Sequence, residues 1–568
     1  MKKCLLFLFF VSSFVYADGP RFQHANPVTQ QEFENVYQGI GATNSRISDF
    51  VTNVKDYGAK GDGTTDDASA IQAVLNLSST TGGQYVFFPC GTYMIGTSLV
   101  VYSTTTIVGE AYGCVTLKAL STFNDRIIQN QARLGNGTDR NIYIGNMIFD
   151  ESGKDAAPTF ARVDNFTMER CLFKNGSTGL FLLTGSTYDD NHYCYFIDCT
   201  FDSSNLTGGG TDINDFGNGK DIHLIRCKFI GGYTNSGNPQ LSAAGMTNFT
   251  IRDCWFDGQR NASLLSLFGI DGGGVYNSDF FNSNGFGIKV SRFVEGNPDA
   301  EILNMTISGN RIHDNGDYGV WHRQESVSTD TPKNFIYENN HIYNNGKSAF
   351  NIEVASGLIV SHNFISENSQ LSAGTYYAVE LTQTGNNAIG LTNLNFDYNI
   401  YADTQATKTQ TKIYNMSYVN GFHSSNNQYL NTVTTFTFNS GTTSNLFFQD
   451  GDKRFHSGSF TRDTSAASAS VSYTGVGFKP SAVIFYGAII STTTHFIGAD
   501  TGVNGRALSI LSNLTADTWN SESLASEPDV SNTQTGHITS MDMDGFTISW
   551  TKAGSPTGTL SVKYLAFR

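Results

Sequence analysis

The sequence predicts an all-β protein: a single-stranded parallel β-helix with an N-terminal capping helix, followed by a small C-terminal β-sandwich. Three observations carry this. Of 568 residues only 15% are charged while 13% are aromatic, and 58 are Gly against 10 Pro, with Asn nearly as common as Gly. That balance excludes long helical bundles, disordered chains and collagen, and leaves a turn-rich β protein. Second, Cys171, Cys199, Cys227 and Cys254 lie 28, 28 and 27 residues apart, each inside one local phrase: ERCLF, IDCTF, IRCKF, RDCWF. Equal spacing of one phrase marks a structural repeat. Third, the Asn-rich turns stop near residue 430, and long alternating strands replace them.

The elements follow in chain order. Lys2 and Lys3, an apolar stretch from Leu5 to Val15 and Ala17 read as a secretory signal over residues 1–17, cleaved near Ala17/Asp18, and imply export. The run falls short of the roughly 20 residues a membrane span needs. Residues 18–50 form an N-terminal helical segment, because Phe33, Val36, Tyr37 and Ile40 share one helical face. A second helix is expected at TTDDASAIQAVL. There Thr65 can cap, Asp66 and Asp67 favour the positive helix end, and Ile71, Val74 and Leu75 face the core. It would plug the open end of the β-helix, whose strand edges otherwise recruit other chains.

The coils extend the repeat beyond the cysteines. Equivalent phrases centre on Met147 upstream and on Asp279, Asn310, Asn340, Asn363 and Asn399 downstream, at intervals of 23 to 36 residues. Short strands alternate with Asn-Gly turns such as FNSNGFG, HDNGDYG and YNNGKSA. A parallel β-helix stacks such coils at about 4.8 Å, since none can bury its apolar side alone. The thiols then form an internal stack that passes into Asp and Asn side chains bonded from coil to coil. Parallel Cβ vectors disfavour disulfides within the stack, no Cys/His pairing suggests a metal site, and Cys90 with Cys114 is the pair to test for a bridge.

VKDYGAKGDGTTDDASAIQAVL, GGQYVFFPCGTYMIG and TTIVGE over residues 51–120 resemble the N-terminal region of the pectate-lyase-superfamily right-handed β-helix group. That group includes rhamnogalacturonase-like and epimerase-like proteins and phage tailspikes. The resemblance implies the fold over residues 51–430 and a polysaccharide-directed role. It supplies no catalytic residues: Gly58, Gly61 and Gly63 make turns, and Asp66 and Asp67 start the helix. The polygalacturonase phrases are missing, since TDIND and GIKV have no Gly-His-Gly between them. Tailspike-like relatives also imply a possible homotrimer and a virion as an alternative location.

Candidate site residues come from strand alternation. Leu182, Ile213, Leu265, Ile288, Val290, Val320, Phe350, Ile352, Val379 and Leu381 point inward, and His322 with them as a core histidine. The outward file is Asp212, Ser266, Phe268, Lys289, Trp321, Arg323, Glu325, Asn351, Glu353, Glu380 and Thr382. Carboxylates, bases and aromatics on successive coils suit a sugar chain. Glu353, Glu380, Glu325 and Arg323 are the catalytic candidates; Trp321, Lys289, Asn351, Asp212 and Phe268 are the substrate-binding ones. Glu353 and Glu380 in direct register would sit about 5 Å apart, as in a retaining glycosidase, whereas Glu325 and Glu380, about two coils apart at roughly 10 Å, would be nearer inverting geometry. Alternatively, Arg323 or Lys289 could abstract a proton beside a uronate in a lyase, the one case that would call for Ca; no other cofactor is expected. A solvated face of cross-coil ion pairs is the bland alternative.

Residues 431–454 read as a junction, and 455–568 as a β-sandwich resembling C-terminal domains of phage tail proteins, for attachment, glycan binding or trimerisation. A net charge of −15 with no basic run argues against a nucleic-acid partner, and no segment after the leader is apolar enough to span a membrane. The expected function is polysaccharide depolymerisation by hydrolysis or elimination, with a noncatalytic glycan-binding adhesin or a purely structural spike as alternatives.

Overall fold

The computed structural model describes residues 51–567 except 136, 155, 177–180, 183–190, 205–213, 233–238, 259–260, 292–301, 324–330, 383–389, 431–435, 439–443, 450–454, 490–494, 504, 511–517, 521 and 530. The leader, the helical segment at 18–50, Asp212, Ile213 and Glu325 lie outside the described residues.

Each coil contributes three short strands, as in Leu303–Ser308, Arg311–His313 and Val320–Arg323. The next coil repeats them in parallel register, with Ile307 beside Tyr337, Ile312 beside Ile342 and Val320 beside Phe350. The middle strands stack into a 14-stranded sheet; the other two files make a 27-stranded one. Two long strands, Asn214–Ile225 and Leu241–Arg252, run through both files and join them.

A two-residue corner between the first and middle strands explains the phrase. Its first residue is left-handed: φ is 53° at Asp198, 52° at Arg226, 56° at Asp253, 49° at Asn277, 71° at Gly309 and 56° at Asn339. Asn, Asp and Gly tolerate that region best, which accounts for much of the composition. The second corner residue points inward and forms the ladder. Cys171, Cys199, Cys227 and Cys254 are buried free thiols, and burial pushes Cys199, Cys227 and Cys254 well above the ordinary thiol range.

The thiol row passes into Ser278, whose Oγ accepts from the Cys254 N–H at 3.0 Å, and then into Asn310. Asp279 is therefore not a ladder residue, as its phrase suggested. It follows the corner, pairs in register with Trp255 and bonds outward to Arg311 and His313. Beyond it Asn310, Asn340, Asn363, Asn399 and Asn427 bond in sequence, each Nδ2 donating to the next Oδ1 at 3.0 Å. A second buried row, Asn315, Asn345, Asn368 and Gln410, is built the same way at the turn before the third strand. These turn asparagines look solvated in sequence. Burial obliges every amide to find a partner, and the adjacent coil supplies it.

A file of rings fills the core beside the thiols. Phe149, Phe173, Phe201, Phe229, Phe256 and Phe280 stack with centroids 5.2, 4.7, 4.7, 4.4 and 4.6 Å apart. At the N-terminal end Ala68–Thr81 is the expected helix, with Ile71, Val74 and Leu75 in the shared core. Thr65 does not cap it: Thr65 lies in strand Asp62–Asp66 and bonds Asp62, while Asp66 Oδ1 accepts from the Ala68 N–H. Asp67, the residue at the cap position, turns its carboxylate back to the Lys60 and Gly61 amides. Cys90 and Cys114 form a disulfide, as the sequence suggested.

From Phe455 to Phe567 the strands are antiparallel, in one sheet of six and one of four. Phe485 and Val562 of the first pack with Phe546, Ile548 and Trp550 of the second in a separate core.

Candidate functional site

The third strand of successive coils carries the expected outward file. Its inward partners Leu265, Ile288, Val290, Val320, Phe350, Ile352, Val379 and Leu381 are all fully buried. One register row then runs Ser266, Lys289, Trp321, Asn351, Glu380 and Asn415. Lys289, Trp321, Asn351 and Glu380 are thus neighbours on four consecutive coils. Arg323 stands two residues along its strand, in register with Ser291. Ser266 points outward but is covered and bonds Ser263.

Glu353 is not opposite Glu380. The register places Asn351 there, and Glu353 lies two residues further on, its N–H donating to the His322 carbonyl at 3.0 Å. Two residues along the strand and one coil across make the backbone separation about 8 Å rather than the 5 Å of direct register. Glu353 and Glu380 stand at different offsets from their turns, which takes them out of direct register.

The aromatic platform is larger than Trp321 alone. Phe286 lies 4.4 Å from Trp321 between ring centroids and Tyr318 lies 6.2 Å away. Lys289 Nζ sits 5.5 Å from the Phe268 ring centre and 5.8 Å from that of Trp321, and Arg323 approaches the same indole at 5.2 Å. Trp321 Nε1 donates to Glu353 Oε1 at 2.9 Å, which fixes the indole and the carboxylate together. Glu353 is 8% exposed and Asn351 5%. The Asn351 Oδ1 is buried with no partner among the described residues, an acceptor held between Trp321 and Glu380.

Behind Glu380 stands a polar support. Ser348 Oγ donates to Glu380 Oε1 at 2.7 Å, and Lys347 Nζ donates to Asp317 at 3.0 Å. Burial raises the Glu380 carboxyl above the usual carboxylate range; the Ser348 bond, the Tyr377 amide and Lys347 oppose this, and Asp317 adds to it. Asp317 is raised by burial too, against the pull of Lys347. Burial, then the charges of Glu380, Asp317 and Glu353, push up the Tyr318 phenol. His322 is a core group as expected: fully buried, 2.6 Å from the Tyr337 hydroxyl, with burial holding its imidazole down to about 3.

Asp317, Tyr318, Lys347, Ser348 and Phe286 escaped the reading of strand alternation because they sit in turns. Aligning turns on the following strand would have found them: Gly285, Asp317 and Lys347 form one column, linked by the Asp317 and Lys347 backbone amides at 2.9 and 3.0 Å. The same turns border a groove of about 490 Å³ lined by Asn282, Asn284, Asp314, Gly316, Gly346 and Leu371. Among the described residues no group of three or more His, Cys, Asp or Glu is arranged to hold a metal ion.

Stacked three-strand coils, buried side-chain ladders and a helix in the first coils' core define a pectate-lyase-like parallel β-helix. Residues 51–262 match the family "Rhamnogalacturonase A/epimerase, pectate lyase-like". Among curated relatives, a probable glucan endo-1,3-beta-glucosidase of Arthroderma benhamiae is 35% identical over 137 residues, covering 21% of this chain and 16% of the relative. Alginate lyase 7 of Azotobacter vinelandii is 32% identical over 133 residues, covering 22% and 15%. The chain therefore aligns with less than a fifth of either protein's length. A mutant tailspike protein of E. coli bacteriophage HK620, solved with a hexasaccharide, has the same fold at 13% identity and a TM-score of 0.50, over 92% of this chain and 94% of that one.

Proposed function

We propose that this protein, exported or displayed on a virion, depolymerises a surface or cell-wall polysaccharide by hydrolysis along the row from Lys289 to Glu380. The observation that carries the reading is Glu380: a desolvated carboxyl with a raised pKa, one coil from a second buried carboxylate and flanked by aromatic rings. Glu380 is the general acid, because burial keeps its proton at pH values where an exposed glutamate has lost it. Glu353, oriented by the Trp321 indole N–H, is the base that activates water. A backbone offset of about 8 Å leaves room for that water and favours inversion. Trp321 and Phe286 offer ring surface to a pyranose, and Asn351 Oδ1 accepts from a sugar hydroxyl. The relatives, a probable glucan endo-1,3-beta-glucosidase and an alginate lyase, support a glycan substrate and leave its identity to experiment.

The test is a reducing-end assay on a panel of bacterial and plant polysaccharides, with product anomers read by NMR. New reducing ends are expected, and Glu380→Gln lowers kcat at least ~100-fold with binding retained. In the wild type the rate falls as pH rises through the Glu380 pKa, because the acid form is lost. Unsaturated uronate products would replace hydrolysis by elimination. Binding without any product, in the wild type, would leave a glycan-binding adhesin. Trimer formation, proposed from the tailspike-like architecture, is read by sedimentation of the full chain.

A further inference from the structure

A second groove, also about 490 Å³, crosses the corner between the first strands and the 14-stranded sheet. It is lined at equivalent corner positions of five consecutive coils, from Asp198 to Arg311, a span of about 19 Å. It shares no residue with the row from Lys289 to Glu380. Trp255 stands in its wall and is 42% exposed, although its neighbours in register are Lys228 and Asp279. The indole is not loose: it meets the Phe281 ring edge-on at 4.9 Å, and Phe281 stacks on His313, which stacks on Tyr343. Open aromatics occur elsewhere on the flank, as at Tyr418 (48% exposed), but Trp255 stands in the wall of a groove among charged residues, where a held ring is a platform for a ligand.

The polar groups around Trp255 are fixed as well. Arg226 forks onto Asp198, Nε to Oδ1 at 2.7 Å and Nη2 to Oδ2 at 2.9 Å. Arg311 bonds Asp279, whose other oxygen lies 3.0 Å from His313 Nε2. Donors and acceptors thus flank the indole in fixed positions. The lining holds three acids, Asp198, Asp253 and Asp279, and three bases, Arg226, Lys228 and Arg311, so its formal charge is zero. An anionic polymer would find each base matched by an acid. A neutral sugar loses nothing there: its C–H face covers the indole, and its hydroxyls bond both carboxylates and guanidinium N–H groups.

We propose that the Trp255 groove is a second glycan-binding site, selective for neutral oligosaccharides and separate from the Glu380 row. Such a site holds the polymer while the row works on another stretch, so that two weak contacts on one chain add through local concentration.

The test titrates the full chain carrying Glu380→Gln with laminarihexaose, cellohexaose, maltohexaose and mannohexaose, and with hexagalacturonate as the acidic counterpart, by calorimetry. Trp255→Ala and Trp321→Ala are compared in that background. At least one neutral hexasaccharide is expected to bind, with affinity reduced tenfold or more by Trp255→Ala and less than threefold by Trp321→Ala, and hexagalacturonate is expected to bind more weakly at this site. Affinity unchanged by Trp255→Ala, no binding of any neutral hexasaccharide at millimolar concentration, or a Trp255-dependent preference for hexagalacturonate would each overturn the proposal. Loss only in Trp321→Ala would refute the second site while leaving the first reading intact. The converse loss, with no hydrolysis by the wild type, would refute the first and leave the second.

Discussion

Replacing Asn340 by alanine probes the internal ladder at its most connected rung. Its Nδ2 donates to the Ile307 carbonyl at 2.8 Å and to Asn363 Oδ1 at 3.0 Å. Its Oδ1 accepts from the Asn310 backbone N–H at 2.9 Å and from Asn310 Nδ2 at 3.0 Å. Removing the amide strands donors on one coil and removes a donor from two acceptors, in a core with no room for bulk water. The Asn310 backbone N–H loses its acceptor, and one orphaned buried group costs about 1–3 kcal/mol; Asn310 Nδ2 and Asn363 Oδ1 each keep another partner. Hydrogen exchange reads this directly: protection of the Asn310 amide and its neighbours in Leu303–Ser308 should fall about tenfold or more, since 1.4 kcal/mol is about tenfold. Asn344→Gly is the control, because Asn344 is a turn residue at φ 58° whose side chain donates to the Asp314 carboxylate in a solvent-exposed bond, and glycine accepts that backbone freely. Asn340→Ala protection within threefold of wild type, with Asn344→Gly equally neutral, would refute the claim that the ladder stabilises the coils.

Two further predictions concern His322 and the Cys90–Cys114 bridge. His322 is neutral in the fold with a pKa of about 3, against an ordinary 6.5, so the unfolded chain binds more protons between those values and stability falls as pH drops below 6.5; from pH 7 to 5 the loss is ~2 kcal/mol. The double variant His322→Leu with Tyr337→Phe, which strands no hydroxyl, should flatten this part of the urea-unfolding profile, and an unchanged slope would remove His322 as its source. The Cys90–Cys114 disulfide closes a sequence separation of 24 and contributes ~3 kcal/mol; peptide mapping after alkylation of the denatured, unreduced chain should find both cysteines unmodified, and the paired serine variant should melt earlier. Full alkylation of both would show that the bridge does not form.

How far the sequence could be read depended on which side chains were constrained from within. Cys171, Cys199, Cys227 and Cys254 announced the coil because a closed core position tolerates only a small apolar group, coil after coil. The Phe at the second residue after each of them was visible in the same phrases, and it marked the ring stack from Phe173 to Phe256. Asp279 misled because one residue's shift converts an inward rung into an outward acid, and the phrase NSDFF offered Ser278 and Asp279 equally. Asn315 and Asn345 misled in the opposite direction: Asn-Gly signals a solvated turn, and only the stacking of coils turns the amide inward.

The site was legible as a file and not as a geometry. Lys289, Trp321, Asn351 and Glu380 follow from period-two alternation, which survives any coil length. The Glu353 offset does not follow, since it depends on the number of residues in a turn that carries no strand period. Asp317 and Lys347, the support behind Glu380, belong to that same turn. Asp212 and Glu325 lie outside the described residues, so their expected roles stand as proposals.

The amide row also has a direction. Each rung from Asn310 to Asn399 gives one amide hydrogen back to a carbonyl of the preceding coil and the other forward to the next rung, so a chain emerging N-terminus first presents one bare donor per coil to the coil that comes next. At Asn427 the backward bond is kept, to the Phe396 carbonyl at 2.7 Å, and the forward hydrogen turns to Ser424 Oγ at 2.9 Å. That local closure ends the amide row in one serine three residues upstream, while the strands Phe436–Phe438 and Ser444–Gln449 of the next coil still pair in parallel. Whole coils could be spliced in or out between Asn310 and Asn399 without disturbing either terminus, which makes the length of the rod, and with it the reach of any surface along it, a quantity adjustable in single steps of about 4.8 Å.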